Sequence, residues 1–142
     1  MLTVVDTFSR FSPVLDPRFT YRGEDVVATL DRVCAQLGYP KTIRVDQGSE
    51  FISRDLALWA YANGVTLDFS RPGKPTDNAF VESFNGRLRD ECLNAHWFLS
   101  MADARAKIEA WRRDYNESRP HTSLGWMTPV EYAAAVAAKA TE

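Results

Sequence analysis

Two acidic residues in this 142-residue chain stand where a carboxylate can take part in metal chemistry. Asp46 directly follows the apolar run 42–45, which predicts a β-strand, and Glu82 lies within a predicted helix at about 78–92. Carboxylate oxygens are ligands that Mg²⁺ and Mn²⁺ prefer, and paired ions of this kind catalyse phosphoryl transfer. The pattern therefore suggests two acids that folding brings together on a divalent metal.

Each acid also has an ordinary structural interpretation. An Asp at the end of a strand often forms a turn, and a Glu in the first turns of a helix favours the helix dipole. The neighbours of Asp46 favour the chemical interpretation, because Gly48, Ser49 and Phe51 make a compact polar turn where a simple connection needs only the glycine. Glu82 gains support from the helix face that it shares with other polar residues.

That face consists of Glu82, Asn85, Gly86 and Arg89, which follow one another at i, i+3, i+4 and i+7. A glycine inside a helix costs about 1 kcal/mol relative to alanine, so Gly86 indicates that something approaches the backbone there. A nucleic-acid strand crossing this face explains both the polar residues and the glycine. We therefore predict that Asn85 and Arg89 contact DNA.

The loop at 70–76, just ahead of this helix, carries the cations Arg71 and Lys74 together with two prolines and a glycine. One interpretation is an ordinary surface connection, and the other is a semi-rigid basic arm that contacts phosphates beside the metals. We predict the second, with Arg71 and Lys74 as nucleic-acid contacts.

His121 is a further candidate metal ligand. No cluster of His or Cys accompanies it, and the other histidine, His96, is remote in sequence. We therefore expect a structural or hydrogen-bonding histidine.

Composition limits the class of protein. At 45% hydrophobic residues, the chain is long enough for one domain with a buried core. The net charge of −2 is not that of a general nucleic-acid binder, so any DNA contact must come from local patches or from other protein. No apolar run approaches the roughly 18 residues of a membrane span, and two cysteines make no disulfide framework. We expect a cytoplasmic protein without a membrane partner.

The succession of elements predicts an α/β fold. Short strands at 2–8 and 11–15 are broken at Ser9-Arg10, as in a hairpin, and further strands follow at 42–45 and 65–69. Helices are predicted at about 24–37, ended by Gly38, at 53–63, capped by Ser53, and at 78–92 and 103–115, and a capping box from Thr128 to Glu131 opens the last one. Helical spacing predicts that the third and fourth helices bury one face each, formed by Phe80, Phe84 and Leu88 and by Ala104, Ile108, Trp111 and Tyr115. The order ββαβαβααα indicates a sheet with helices packed on it, and such sheets place their sites beyond the carboxyl ends of strands.

Four runs of residues, taken together, resemble one family. They are Leu2-Thr3-Val4-Val5-Asp6, Asp46-Gln47-Gly48-Ser49-Glu50-Phe51, Pro75-Thr76-Asp77-Asn78-Ala79-Phe80-Val81-Glu82-Ser83-Phe84, and the segment from Tyr115-Asn116 through Arg119-Pro120-His121 to Thr128-Pro129. These runs resemble the catalytic core of the retroviral-integrase superfamily, and most closely that of bacterial insertion-sequence transposases of the IS-three group.

The resemblance implies an RNase H-like fold, a mixed sheet flanked by helices, in one core domain at 1–142 that includes the C-terminal helices at about 103–139. It also implies a DDE polynucleotidyl transferase that acts in DNA transposition and integration with Mg²⁺ or Mn²⁺. The family's second acid matches Asp46 and its third matches Glu82, as catalytic residues and metal ligands. Its first acid lies on a strand before the one that opens with Leu2, so we expect an N-terminally truncated core without its first strand.

That departure leaves alternatives open. Loss of a bridging acid predicts negligible activity from these residues alone, unless Asp6, expected within a strand near the middle of the sheet, replaces it in an RNase H-like nuclease. Another alternative is a non-catalytic fragment that binds DNA or full-length transposase and modulates it. The expected partners are transposon-end and target DNA, with a second copy of the chain or full-length transposase.

Overall fold

The computed structural model describes residues 1–45, 48–69 and 79–140. Its strands are β1 (Leu2–Val4), β2 (Val14–Asp16), β3 (Thr42–Val45) and β4 (Thr66–Phe69). Its α-helices are α1 (Gly23–Leu37), α2 (Arg54–Ala62), α3 (Ala79–Leu88), α4 (Met101–Ser118) and α5 (Pro129–Ala140). A π-helical turn (Arg89–Leu93) extends α3, and a 3₁₀ turn (Thr122–Leu124) precedes α5. The predicted order of strands and helices is confirmed.

The chain divides into two compact units, which interleave along the sequence. The first comprises Met1–Leu2 and Arg18–Ala79, and the second comprises Thr3–Pro17 and Phe80–Glu142. Among the described residues, each unit carries one pair of strands, β3 with β4 in the first and most of β1 with β2 in the second.

In the first unit β3 and β4 pair in parallel, with Thr42 opposite Thr66 and Val45 opposite Phe69. Parallel neighbours need a crossover between them, and α2 lies in that connection. The strand predicted at 42–45 is confirmed and ends directly before position 46.

Local signals set the ends of the helices in this unit. After α1 ends, Gly38 adopts a φ of 90°, a conformation that other residues rarely take. α2 follows Ser53, whose hydroxyl oxygen accepts a hydrogen bond from the Leu56 amide at 3.1 Å. Gly23, at the start of α1, lies so close to this cap that a Cβ there would be 2.5 Å from the Ser53 Cβ. The glycine therefore permits the approach of the two helix starts.

The second unit begins with a turn between β1 and β2. The Asp6 amide donates to the Phe11 carbonyl oxygen at 2.8 Å, and the Asp6 carbonyl oxygen accepts from the Arg10 amide at 2.8 Å. The strands are shorter than the predicted 2–8 and 11–15 because this turn takes residues from both. Asp6 therefore lies beyond the end of β1, and its predicted position within a strand is wrong.

A buried amide joins the end of this turn to α4. Asn116, only 2% exposed, accepts from the Ser12 amide at 2.8 Å and donates to the Ser12 carbonyl oxygen at 2.9 Å. Arg112 donates to the same carbonyl oxygen at 2.8 Å. Because Ser12 lies outside the strands, these side chains supply the partners that a sheet would otherwise give its backbone.

The core of the second unit is a cluster of side chains from β2, α3, the π turn and α4. Its members are Leu15, Phe84, Leu88, Cys92, Ala104, Ile108, Trp111 and Tyr115. The Phe84 ring meets Trp111 and Tyr115 edge-on, with centroids 5.4 and 4.9 Å away. The predicted core positions of α4 are confirmed. Phe80, predicted to be buried with Phe84 and Leu88, is instead 52% exposed.

The helix predicted at 78–92 changes its winding near its end. The Asn94 amide donates to the Arg89 carbonyl oxygen at 2.8 Å, which is the i→i+5 bond of a π turn. Cys92 within this turn is 1% exposed, so the wider turn still contributes to the core.

α4 and α5 both begin at side-chain caps. The Ser100 hydroxyl oxygen accepts from the Asp103 amide at 3.0 Å, which starts α4 earlier than the predicted 103. At α5 the Thr128 amide donates to Glu131 at 3.1 Å, while the Glu131 amide donates to the Thr128 hydroxyl oxygen at 3.2 Å. The predicted capping box is confirmed. No helix in the described part of the chain is long and apolar enough to cross a membrane.

Candidate active site and nucleic-acid interface

Glu82 lies in the first turn of α3, where the positive end of the helix dipole favours a carboxylate. Its side chain is exposed, and no described residue donates a hydrogen bond to it or forms an ion pair with it. No described residue therefore competes with a ligand for its carboxylate oxygens, which is compatible with the predicted metal ligand.

The residues predicted to share its face continue along the same helix. Asn85 and Gly86 are half-buried, and the exposed Arg89 opens the π turn. A Cβ built on Gly86 would meet no described atom within 4 Å, so contacts among the described residues do not require a glycine there. The prediction that an external strand approaches this backbone is consistent with that open space.

Three predicted site residues, Asp46, Arg71 and Lys74, lie outside the described residues. The meeting of Asp46 with Glu82 and the basic arm at 70–76 therefore stay predictions. The compact turn after position 46 is confirmed, because the Gly48 carbonyl oxygen accepts from the Phe51 amide at 2.9 Å.

Asp6 has a structural function in the turn where it lies. Its carboxylate accepts from the Phe8 amide at 3.0 Å and from the Ser9 hydroxyl at 2.7 Å. Metal binding would have to compete with both bonds. Its use as a substitute acid stays a prediction.

A metal ion fits the chemistry of the predicted donors. Within the described ranges, no group of three or more His, Cys, Asp and Glu side chains is arranged to hold a metal. The predicted pair needs Asp46, which lies outside those ranges. Of the two acids in this pair, the structure describes the surroundings of Glu82. Its open carboxylate oxygens suit Mg²⁺ or Mn²⁺.

A cleft of about 170 Å³ borders another side of α3, within the second unit. It is lined by Val5, Arg10, Phe80, Ser83, Phe84, Arg87, Tyr115, His121 and Ser123. The Arg10 guanidinium lies 4.0 Å from the centre of the Phe80 ring. Phe80 therefore makes a cation–π contact at the rim of the cleft.

His121 is the buried polar residue of this cleft, 9% exposed. Its amide donates to the Met127 carbonyl oxygen at 2.9 Å, and its ring meets Tyr115 edge-on at 5.1 Å. Nε2 has no hydrogen-bond partner among the described residues. Burial, followed by the charges of Arg87, Arg119 and Arg10, lowers the pKa of His121 below its usual value. The imidazole is therefore neutral at pH 7, as suits the predicted structural histidine.

Sequence reasoning missed Arg10 and Arg87 as candidates. Arg87 belongs to the helix face of Phe80 and Phe84, which was assigned to the core. The available signal was that Arg87 is a basic residue beside the apolar side chains of this helix face. Nothing local connected it to Arg10 or His121.

The chain is similar to proteins of several bacterial insertion elements. It is 55% identical over 133 residues to an uncharacterized 31.7 kDa protein of insertion element IS407 from Burkholderia multivorans, covering 94% of this chain and 48% of that protein. It is 47% identical over 133 residues to a 39.2 kDa protein of insertion element IS476 from Xanthomonas euvesicatoria, covering 94% and 38%. The transposase of insertion element IS904 from Lactococcus lactis is 32% identical over 91 residues, covering 63% and 36%. This chain thus spans less than half the length of each.

Two solved structures share the fold. One is a simian T-cell lymphotropic virus intasome, with a TM-score of 0.75 and 22% identity over 92% of this chain and 46% of that one. The other is the HTLV-2 integrase catalytic core domain in complex with magnesium, in a trimeric form, with a TM-score of 0.70 and 18% identity over 90% and 80%. These likenesses confirm the predicted α/β, RNase H-like fold.

Family models agree with the relatives. A model described as an integrase core domain matches residues 63–129, and another with the same description matches residues 1–75. The second match covers more than half of the 142 residues, and the chain accordingly belongs to the integrase core domain family.

Proposed function

We propose that this chain is the core of a DDE-type polynucleotidyl transferase that acts on transposon DNA in transposition and integration. One observation carries the proposal. The two integrase core matches together include both Asp46 and Glu82, and Glu82 is an exposed carboxylate with no partner among the described residues. Glu82 thus lies within the matched integrase core and has a carboxylate that no described residue occupies.

In this function Asp46 and Glu82 hold Mg²⁺ or Mn²⁺. Bound ions of this kind activate an attacking hydroxyl and stabilise the leaving oxygen of a phosphodiester. Asn85 and Arg89 hold the DNA backbone along α3, while Arg71 and Lys74 contact phosphates from the preceding loop. Magnesium in the complex of the HTLV-2 core supports the choice of a divalent ion.

The metal role is tested with Mn²⁺, whose paramagnetism broadens nearby NMR signals. We expect substoichiometric Mn²⁺ to broaden the amide signals at the start of α3, and Glu82→Gln to remove most of this effect. Glu117→Gln, which neutralises an exposed carboxylate near the end of α4, is the matched control and should leave the broadening unchanged. Equal broadening in both variants would remove Glu82 from the site.

The 142 residues supply the family's second and third acids, so we propose that they perform no measurable strand transfer by themselves. A joining assay with transposon-end DNA and Mn²⁺ tests this. A joined product that depends on metal and on Glu82 would show that another group, such as Asp6, completes the site.

A second candidate function is binding to full-length transposase without catalysis. Trp97 and Leu99 favour it, because these neighbouring apolar side chains are 91% and 89% exposed, as at a protein-binding surface. The test is capture by the tagged 31.7 kDa insertion-element relative. Trp97→Ser should abolish capture, and Tyr61→Ser, at another exposed aromatic, should not. Capture that survives Trp97→Ser, or no capture of the unaltered chain, would contradict this function.

A further inference from the structure

The cleft beside α3 and the Glu82 face occupy different sides of the same helix. Residues of an α-helix are about 100° apart around its axis. Phe80 and Arg87, which line the cleft, therefore lie about 140–160° around the axis from Glu82 and Asn85, while Ser83 lies about 100° from Glu82. The cleft is thus lined mainly by the side of α3 away from the predicted metal ligand.

The charge that lines the cleft is positive. None of its lining residues is acidic, whereas Arg10 and Arg87 both line it. Arg87 forms no hydrogen bond or ion pair with any described residue, although its charge lies close enough to Glu91 to help lower the pKa of that carboxyl. The nearby Arg119, by contrast, donates to both carboxylate oxygens of Glu91, so its charge is already balanced.

The polar groups of the cleft suit an oxyanion. Guanidinium groups present paired N–H donors that match phosphate oxygens, and the hydroxyls of Ser83 and Ser123 are further donors. His121 lines the same space with an Nε2 that lacks a partner among the described residues. The volume of about 170 Å³ is some ten times the roughly 10–15 Å³ that a water needs, which leaves room for a phosphate group.

Arg10 adds a sign of function, because its φ of 64° lies in the left-handed region. An L-residue with a side chain costs about 1–3 kcal/mol there, and glycine avoids that cost. The chain nevertheless carries an arginine, whose guanidinium lies over Phe80 at the rim of the cleft. Such strain at a binding residue is typical of functional sites.

We propose that this cleft binds one backbone phosphate of a DNA strand, with Arg87 as the principal contact and Arg10, Ser83, Ser123 and His121 as supporting groups. The proposal rests on the proposed function for the identity of the ligand as DNA. It adds a second phosphate contact on the side of α3 away from Glu82, so the bound DNA reaches around the helix.

The test is the affinity for a labelled oligonucleotide, measured by fluorescence anisotropy at several salt concentrations. Loss of a charge-assisted contact should weaken binding about tenfold in Arg87→Ala and lower the salt slope by about one phosphate. Arg105→Ala is the matched control, since Arg105 is exposed on α4 and pairs with no described residue. It should change the affinity by less than about twofold.

Further variants distinguish a direct contact with phosphate from a general electrostatic attraction to DNA. Arg87→Lys keeps the charge but loses the paired N–H donors of the guanidinium. We expect its affinity for DNA to lie between those of the unaltered chain and Arg87→Ala. Arg10→Gly should relieve the strained turn, so it should weaken DNA binding without lowering the melting temperature. The His121 NMR signals should shift when the oligonucleotide is added.

The outcomes distinguish this proposal from the proposed function. If Arg87→Ala and Arg105→Ala bind DNA equally well while Arg89→Ala binds more weakly, the cleft is not a phosphate site and the proposed function stands. If the unaltered chain binds no DNA at low salt, both proposals are wrong. Normal melting of Arg87→Ala excludes misfolding as the cause of weak binding.

Discussion

Two buried polar side chains in the second unit, Asn116 and His121, differ in whether their polar atoms have hydrogen-bond partners. At Asn116 both polar atoms of the buried amide have partners, because Oδ1 accepts from the Ser12 amide and Nδ2 donates to its carbonyl oxygen. At His121 the buried imidazole has an unpartnered Nε2 and lies in a cleft with two arginines. A satisfied polar group gives up its capacity to bind anything else. An unsatisfied one beside two arginines retains that capacity.

The largest effect should come from breaking the satisfied site. Asn116→Ala leaves the buried Ser12 amide without an acceptor, and an orphaned buried donor costs about 1–3 kcal/mol. We expect the free energy of unfolding to fall by about 2–3 kcal/mol in urea denaturation, because packing is lost as well. Asn94→Ala, at an exposed amide, should change it by less than about 0.5 kcal/mol. An equal fall in the free energy of unfolding in both variants would show that the Asn116 hydrogen bonds do not stabilise the fold.

A smaller effect is expected at the other satisfied polar site, the capping box of α5. Thr128→Ala removes the acceptor for the Glu131 amide, and loss of such a cap typically costs about 1 kcal/mol. Thr122→Ala, at an exposed threonine of the 3₁₀ turn, is the control. Thermal unfolding followed by circular dichroism measures both. A melting temperature that falls as much for Thr122→Ala as for Thr128→Ala would contradict the assignment.

At the open site the same kind of change should alter a pKa and not stability. Burial and then the charge of Arg87 lower the pKa of His121, so Arg87→Ala should raise that pKa part of the way to its usual value. NMR titration of the His121 ring protons measures it, with Arg105→Ala as the control. The free energy of unfolding should change by less than about 0.5 kcal/mol. A large loss of stability in Arg87→Ala would make the cleft a structural site too.

The smallest effect concerns the ion pair beside the cleft. Hydrogen bonds from Arg119 hold the pKa of Glu91 below its usual value of 4.5. A carboxyl group that is more acidic in the folded state adds stability above its unfolded pKa and loses it as the pH falls through the folded pKa. Glu91→Gln should therefore lower the melting temperature at pH 7 by about 2 °C, and the difference should shrink below pH 4.5. A difference that grows in acid would reverse the sign of this contribution.

Features that depend on neighbouring residues were predictable from the sequence. Gly38 as the end of α1, Ser53 as the cap of α2 and the Thr128–Glu131 box need only a few adjacent positions, and each is confirmed. The exposure of Glu82 follows in the same way from the period of its helix. Local rules suffice where the physical cause is local.

Contacts between distant segments were not predictable in this way. Ser12 and Asn116 are 104 positions apart, and no local sequence pattern around either residue indicates that they pair. The cleft draws on the turn at Arg10, on α3 and on the segment at His121. Helical period predicted Phe80 in the core, but the side chain is 52% exposed and its ring contacts the Arg10 guanidinium at the rim of the cleft. Tertiary contacts decided these positions.

The π turn at Arg89–Leu93 accommodates one residue more than an ordinary turn, which affects how this helix tolerates a deletion. In an α-helix each four-residue step drifts by about 40° around the axis, so a third apolar residue at that spacing would rotate out of line with Phe84 and Leu88. The wider turn rotates less per residue and returns Cys92 to their side. An in-frame loss of one codon within 89–91 would restore ordinary winding and leave Cys92 three residues after Leu88, which keeps it on the side of Phe84 and Leu88. The reading frame should therefore tolerate the loss of one residue there better than a loss within 84–88, which would turn the residues on either side by about 100° relative to one another.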